Sequence, residues 1–377
     1  MTQFRTLVER AIVDSRYNYF GTENYDENRF GKLYASDFAR RFNDLKNFVK
    51  SRIGYNRLPG GWKNFDDFEK GLANKMEEYY PALDNIYKNL NQESKDLIVK
   101  LIAYRILGYQ KIRLPTNNEA YKKGLKDIKR LKYPNSKYYP HFLHIVLNKY
   151  NLRPLGYEID IIFSDIGTVI DFIIEQYAYK INGNAIVSVE ENDVVFDMGG
   201  CWGDTALYFA CRAGANGKVY SFEFVPDNIK LFNINRSMNP DVEKRIELVP
   251  YPVSDISGEV IYFKDLGPGS KMESNPFEGQ TGSVTTLSID DFVERNNIKK
   301  VNFIKMDIEG AESKALAGAI KTIERFRPKL AIAIYHSMDD FIKIPKWIMD
   351  LNLGYEIYIG HYTIHAEESI CFAKSAS

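Results

Sequence analysis

The octapeptide KMDIEGAE carries Lys305, Asp307, Glu309 and Glu312, and the apolar run VNFIKMDI leads into it. If that run is a strand, its period of two sets Lys305, Asp307 and Glu309 on one side of the strand's end. Ionisable groups there are costly to bury unless they serve chemistry or satisfy one another. The run KLAIAIYH ends in His336, and YEIYIGHY carries His361. A parallel sheet brings such ends together, so Asp307, Glu309, His336 and His361 could line one pocket. His336, a base that works near neutral pH, is the first choice for removing a proton from an alcohol. Asp307 is the second choice, or it orients His336. Lys305 would steady the carboxylates or fix an acceptor oxygen. His365 is expected on the surface, and His141 and His144 receive no role.

A second group sits in DMGGCWGDT. Ligands of open α/β sheets bind beyond the C-terminal ends of strands. Gly199, Gly200 and Gly203 allow a sharp turn and a close backbone approach there, and a helix beginning near Asp204 would offer its N-terminus. Trp202 either shelters the ligand or plugs the gap beside the helix. Glu223, 24 residues after Gly199, suits a ribose contact. Asp197, two residues before the first glycine, would repel a pyrophosphate but suits a ligand bearing an amino group and a sulfonium. The glycines also depart from GxGxxG. Together these favour S-adenosylmethionine, with an NAD-dependent sugar oxidoreductase as the alternative of a different class.

The elements that must position these groups alternate after about residue 193. Apolar runs at 194–198, 218–224, 245–253, 301–308, 329–336, 355–362 and 368–374 are separated by amphipathic helical stretches. Such alternation predicts a parallel sheet covered by helices on both faces. Only TIHAE separates the last two runs, which predicts a C-terminal antiparallel hairpin. Residues 265–283, rich in Gly, Pro and Ser, are expected to be a mobile loop. Residues 1–150 read as a mainly helical domain serving acceptor selection or oligomerisation, and 151–377 as the catalytic one. Helices are expected after Ser36, with Phe38, Phe42, Leu45, Phe48 and Val49 as the apolar face, over 66–89 with a break near Pro81, and over ESKDLIVKLIAYRILGY.

Composition narrows the class. Residues 1–150 hold 28 Lys and Arg against 17 Asp and Glu, so the neutral whole divides into halves of +11 and −11. The basic half suits attraction between the halves or a wall for an anionic ligand. There is no nucleic-acid motif and no apolar stretch long enough for a membrane span. Three cysteines without a CxxC pair and the absence of a secretory signal lead to the expectation of a cytoplasmic protein with reduced thiols.

The ordered set VVFDMGGCWGDTALYFA, VYSFEFVPDN, TTLSIDDF, VNFIKMDIEGAESKALAGA and IAIYHSMDDFIKIP resembles the FkbM-type family of class I methyltransferases. The resemblance covers roughly residues 150–375. It implies a Rossmann-like, mostly parallel sheet binding S-adenosylmethionine through Asp197, Gly199, Gly203, Asp204 and Thr205. It implies Glu223, beside Phe224, on the ribose hydroxyls, with Ser254 and Asp255 near the adenine. Many relatives read FEP where this chain has FEFVPDN, a two-residue insertion that places the proline at 226; the resemblance implies Asn228 as an adenosine neighbour. The implied reaction is O-methylation of sugars or natural products, with in-line transfer from sulfur to a deprotonated oxygen. The basic half suits a nucleotide-linked or phosphorylated sugar of surface-polysaccharide or glycoside biosynthesis. Methylation of a non-sugar natural product is the alternative of the same chemistry. No metal is assigned, although Asp307, Glu309 and His336 could hold a divalent ion. Exposed helices of the first half leave room for a homodimer.

Overall fold

The computed structural model describes residues 2–52, 71, 76–140, 142 and 145–375. The seven late apolar runs form one sheet: β1 (Val194–Met198), β2 (Lys218–Phe222), β3 (Ile246–Val249), β4 (Phe303–Met306), β5 (Lys329–Ala333), β6 (Tyr355–His361) and β7 (Ser369–Ser375). Their spatial order is β6-β7-β5-β4-β1-β2-β3. Strands β1 to β5 are parallel, and β7 runs antiparallel between β5 and β6, so the expected hairpin forms. The fold is thus α/β, a mostly parallel central sheet with a helical N-terminal region.

Alternation along the strands feeds two apolar layers. Phe196, Met198, Ile304, Met306 and Ile332 pack on one face with Phe4, Val8, Ile98 and Leu101 from the first half. Val195, Phe303 and Ala331 face the other way, toward Phe209, Phe232, Tyr150 and Ile161. The helices α1 (Gln3–Asp14), α2 (Glu27–Phe30), α3 (Asp37–Arg52), α4 (Tyr80–Lys88), α5 (Gln92–Leu107) and α6 (Glu119–Asp127) supply about half of the described residues of the first half. Because α1 and α5 share a core with the sheet, the two halves are continuous in packing.

Helix α5 stops at Gly108, as its sequence predicts, and starts at an Asn91 cap. It covers the sheet's edge: the Ile359 N–H donates to Ser94 Oγ at 2.9 Å. Thr116 Oγ1 likewise donates to the His361 carbonyl at 2.8 Å. Edge groups left open would invite pairing with another chain. Pro81 lies in the first turn of α4, where its missing N–H costs nothing, so it opens a helix rather than breaking one. The helical piece expected before it is described only at Gly71 and residues 76–79, and His141 and His144 lie outside the described residues. Within 265–283, expected as a loop, Lys271–Glu273 pairs with Val260–Lys264 in a three-stranded antiparallel sheet that Gly282–Thr285 completes. Among the described residues no helix is long and apolar enough to cross a membrane.

Arg105 of α5 ties the two halves at the sheet's C-terminal rim. Its Nη2 donates to the carbonyls of Tyr335 and Ala366, and its guanidinium lies 4.8 Å from the centre of the Phe341 ring. Arg105→Ala should lower unfolding stability by about 2–3 kcal/mol through loss of these charge-assisted bonds. Denaturant unfolding measures this, and equal stability of the variant would show that the clamp is idle.

Candidate active site

The parallel register places Ser221 of β2, Asp197 of β1 and Lys305 of β4 side by side on one face of the sheet. Asp197 is fully buried and accepts hydrogen bonds from Ser221 Oγ at 2.7 Å and Thr205 Oγ1 at 2.9 Å. Its Oδ1 also meets Lys305 Nζ at 3.2 Å. The same Nζ donates to the carbonyls of Met198 and Gly199, at 3.1 and 2.6 Å. This network fastens the glycine turn to the sheet. Gly199 has φ +83°, and a Cβ there would stand 1.9 Å from the Asp307 carbonyl oxygen. At Gly200 a Cβ would stand 2.1 Å from Ser221 Oγ. Gly203 caps the helix Asp204–Ala213.

Above the turn lies a cavity of about 540 Å³, within the range of small-molecule sites. Of the residues expected to bind the cofactor, Gly199, Trp202, Asp204, Thr205, Glu223, Phe224 and Asn228 line it. Asp197 does not, and neither do Gly200, Gly203, Ser254 or Asp255. The neighbours Tyr251, Pro252 and Val253 stand at the wall where Ser254 and Asp255 were expected. Glu223 accepts from the backbone N–H groups of Phe224 and Val225 and from Asn228 Nδ2. Burial nevertheless pushes its carboxyl up to about 7. Asp171 and Asp204 face each other, each with an Oδ1 that lacks a hydrogen-bond partner in the chain. Burial raises Asp204 to about 6 and Asp171 well above the carboxylate range.

The rim groups divide into two ranks. Asp307 lines the cavity, held by Tyr335 Oη on Oδ1 at 2.9 Å and Tyr177 Oη on Oδ2 at 3.2 Å. Glu309 also lines it, half-exposed, on a left-handed backbone at φ 56°. Desolvation, with Asp307 and Glu312 adding repulsion, pushes Glu309 up to about 7. His336 stands behind them and is not part of the lining. Its Nε2 lies 3.5 Å from Asp307 and 3.7 Å from Glu309, and its Nδ1 is 3.3 Å from Glu312. Glu312 is fully buried; its Oε1 accepts the Ile308 N–H, and its Oε2 has no partner. Asp307, Glu312 and His336 each present an atom within 4.8 Å of the others, an arrangement that could hold a metal ion.

His361 and His365 do not take the places expected of them. His361 is buried at the end of β6, its Nδ1 2.9 Å from Ser369 Oγ, outside the cavity lining. Desolvation lowers it to about 3. His365, expected on the surface, is buried and lines the cavity. The hairpin turn that carries it folds back over the rim against Asp26 and Phe30 from the first half. Desolvation and the neighbouring Arg29 lower it to about 3 as well. Asp171, Gln176, Tyr177, Tyr335 and Glu368 also line the cavity without having been singled out. Tyr335 adjoins His336, and that adjacency was the signal available in the sequence.

The basic run enters the lining only through Lys132 and Lys137, with Arg29 coming from α2. Lys132 pairs with Asp165, and Arg29 with Glu367. Lys122 and Lys123 of α6 instead pair within their own helix, with Glu119 and Asp127.

Residues 185–357 match the family model described as the methyltransferase FkbM domain. A curated relative, the hexuronic acid methyltransferase AglP of Haloferax volcanii, is 26% identical over 170 residues, 45% of this chain. The match spans 66% of that protein, just under two thirds of its length. The crystal structure of a methyltransferase FkbM from Methylobacillus flagellatus KT superposes with a TM-score of 0.52 at 17% identity. It covers 90% of this chain and 71% of that one, which establishes the shared fold.

Gly199→Ala tests the turn. The left-handed backbone alone should cost about 1–2 kcal/mol, and the collision with the Asp307 carbonyl adds to it. A lowered unfolding midpoint is expected; an unchanged one would show that the turn relaxes freely.

Proposed function

We infer, from the match of residues 185–357 to the methyltransferase FkbM domain, that the protein transfers a methyl group from S-adenosylmethionine to a sugar hydroxyl. That match carries the assignment, and the cavity agrees with it: Glu309 lines it beside the glycine turn, its carboxyl pushed up to about 7. The donor, when bound, supplies an electrophilic methyl group on a positively charged sulfur. The chain's own groups fit it. The unpartnered oxygens of Asp171 and Asp204 suit an α-ammonium, and Glu223 suits two ribose hydroxyls. Phe224 and Val253 offer apolar wall to a base.

An alcohol needs its proton removed as the new bond forms, and a carboxylate tuned near the working pH does this well. Glu309 takes that proton. Asp307, fixed by two tyrosine hydroxyls, orients the acceptor. His336 acts through these carboxylates, since they stand between it and the cavity. Asp307, Glu312 and His336 fit a divalent ion, whose contribution would be to acidify a coordinated hydroxyl. The relative that acts on hexuronic acid supports a sugar acceptor. Lys132 and Lys137 suit a phosphate or carboxylate on it, in keeping with a nucleotide-linked or phosphorylated sugar of polysaccharide or glycoside assembly.

Calorimetric titration with S-adenosylhomocysteine should give binding that Glu223→Gln weakens at least about tenfold, the loss of a charged acceptor for ribose. NAD binding in its place would overturn the assignment. Glu309 is protonated below about 7 and cannot accept a proton there. The turnover rate should therefore rise with pH through that value. Glu309→Gln should remove the rising limb and lower kcat by about 10²–10⁴-fold. A limb that survives in Glu309→Gln but disappears in His336→Asn would move the base to His336. Loss of turnover on chelation, restored by Mg²⁺, would assign the metal.

A further inference from the structure

Helix α3 has its amphipathic faces reversed. The side turned to the body of the protein is polar. Asp44 accepts from Tyr19 Oη at 3.1 Å and Thr22 Oγ1 at 3.0 Å, Asn47 Nδ2 donates to Tyr19 Oη at 3.3 Å, and Ser51 is buried. The apolar stripe of the sequence faces outward instead. Phe38 is 80% exposed, Phe42 58%, Leu45 64% and Val49 51%. At 3.6 residues per turn these four fall within about 60° of arc. The rings of Phe38 and Phe42 stack 6.4 Å apart on that surface. Solvent-facing apolar rows of this kind mark interaction sites.

Charge identifies the occupant. The segment 37–52 holds five basic residues against two acidic ones. Arg41, Lys46 and Arg52 are exposed, and helical geometry places them on the two flanks of the apolar stripe. Long basic side chains beside a Phe and Leu face can reach lipid phosphates while the rings enter the acyl boundary. A second copy of the chain would set like charges against one another across the same stripe. Sixteen residues of helix extend about 24 Å, too short to cross a bilayer but suited to lying in its surface.

We propose that α3 is an interfacial helix that docks this protein on an anionic lipid bilayer. The inference is independent of the methyl-transfer reading. It places the cavity, whose wall includes Asp26 and Arg29 just ahead of α3 in the chain, close to a membrane surface. There an acceptor sugar carried on a lipid would be available.

The test uses the full chain in flotation with vesicles of phosphatidylcholine, with and without roughly one-third phosphatidylglycerol. The protein should float with the anionic vesicles and stay behind with the neutral ones, and salt should weaken the association. Phe38→Ser/Phe42→Ser/Leu45→Ser and, separately, Arg41→Glu/Lys46→Glu should each reduce flotation at least about tenfold, the scale expected on losing buried rings or two phosphate-facing charges. Calorimetric binding of S-adenosylhomocysteine and the melting temperature should stay at wild-type values, which separates a docking defect from a folding defect. Three results would overturn the proposal. One is no flotation with either vesicle. Another is a wild-type dimer that the serine variant dissociates. The third is a melting temperature several degrees lower in the serine variant, which would mean that the chain itself covers the stripe.

Discussion

The buried pair of Asp197 and Lys305 governs the arrangement of everything at the sheet's rim. Both side chains are almost wholly buried, Lys305 at the cavity wall, and removing an ion from water is expensive unless its partners replace the hydration shell. Here they do so: Thr205 and Ser221 supply hydroxyls to the carboxylate, and Met198 and Gly199 supply carbonyls to the ammonium. The lysine that neutralises Asp197 therefore also fixes the backbone of the glycine turn. An apolar pair of equal volume would spare the desolvation cost and release the turn. The pair is thus a positioning device, and any role of Asp197 toward a ligand is exerted through Thr205 and the turn.

Around the cavity the electrostatic situation is the reverse. Asp171, Asp204 and Glu223 are crowded where water is scarce, Glu309 stands half-exposed at the rim, and each is pushed upward by desolvation. Carboxyls in that condition gain from a ligand that brings hydroxyl donors or positive charge. Glu309 adds a left-handed backbone, a conformation that non-glycine residues adopt at some cost and that recurs at functional sites. The site is strained and poorly neutralised on its own, which is the usual relation between stability and function.

The first half of the chain completes this site as well as covering the sheet. Arg105 grips the rim at Tyr335 and Ala366, and Asp26 and Arg29 close the cavity wall beside the hairpin turn. Its excess of eleven positive charges is nevertheless a poor guide to the field in the cavity. Lys122 and Lys123 of α6, for example, are paired within their own helix and exposed, and water screens them.

Much of the fold was legible in the sequence, because strand and helix periodicities are local. All seven strands lie inside or within one residue of their expected bounds, and the C-terminal hairpin followed from the shortness of TIHAE. The glycine turn, Asp307 and Glu309 stand at the rim for the same reason: a strand's end fixes what immediately follows it. What only the tertiary structure decided depends on neighbours remote in sequence. Asp197 points at Lys305 and Ser221 because of the register of three strands. His336 falls behind Asp307 and Glu309, and His361 behind the edge, while His365 enters the cavity because the first half holds the hairpin turn over it. The apolar stripe of α3 announces a helix in the sequence. That it faces outward was decided by Tyr19 and Thr22, whose hydroxyls claim the polar side.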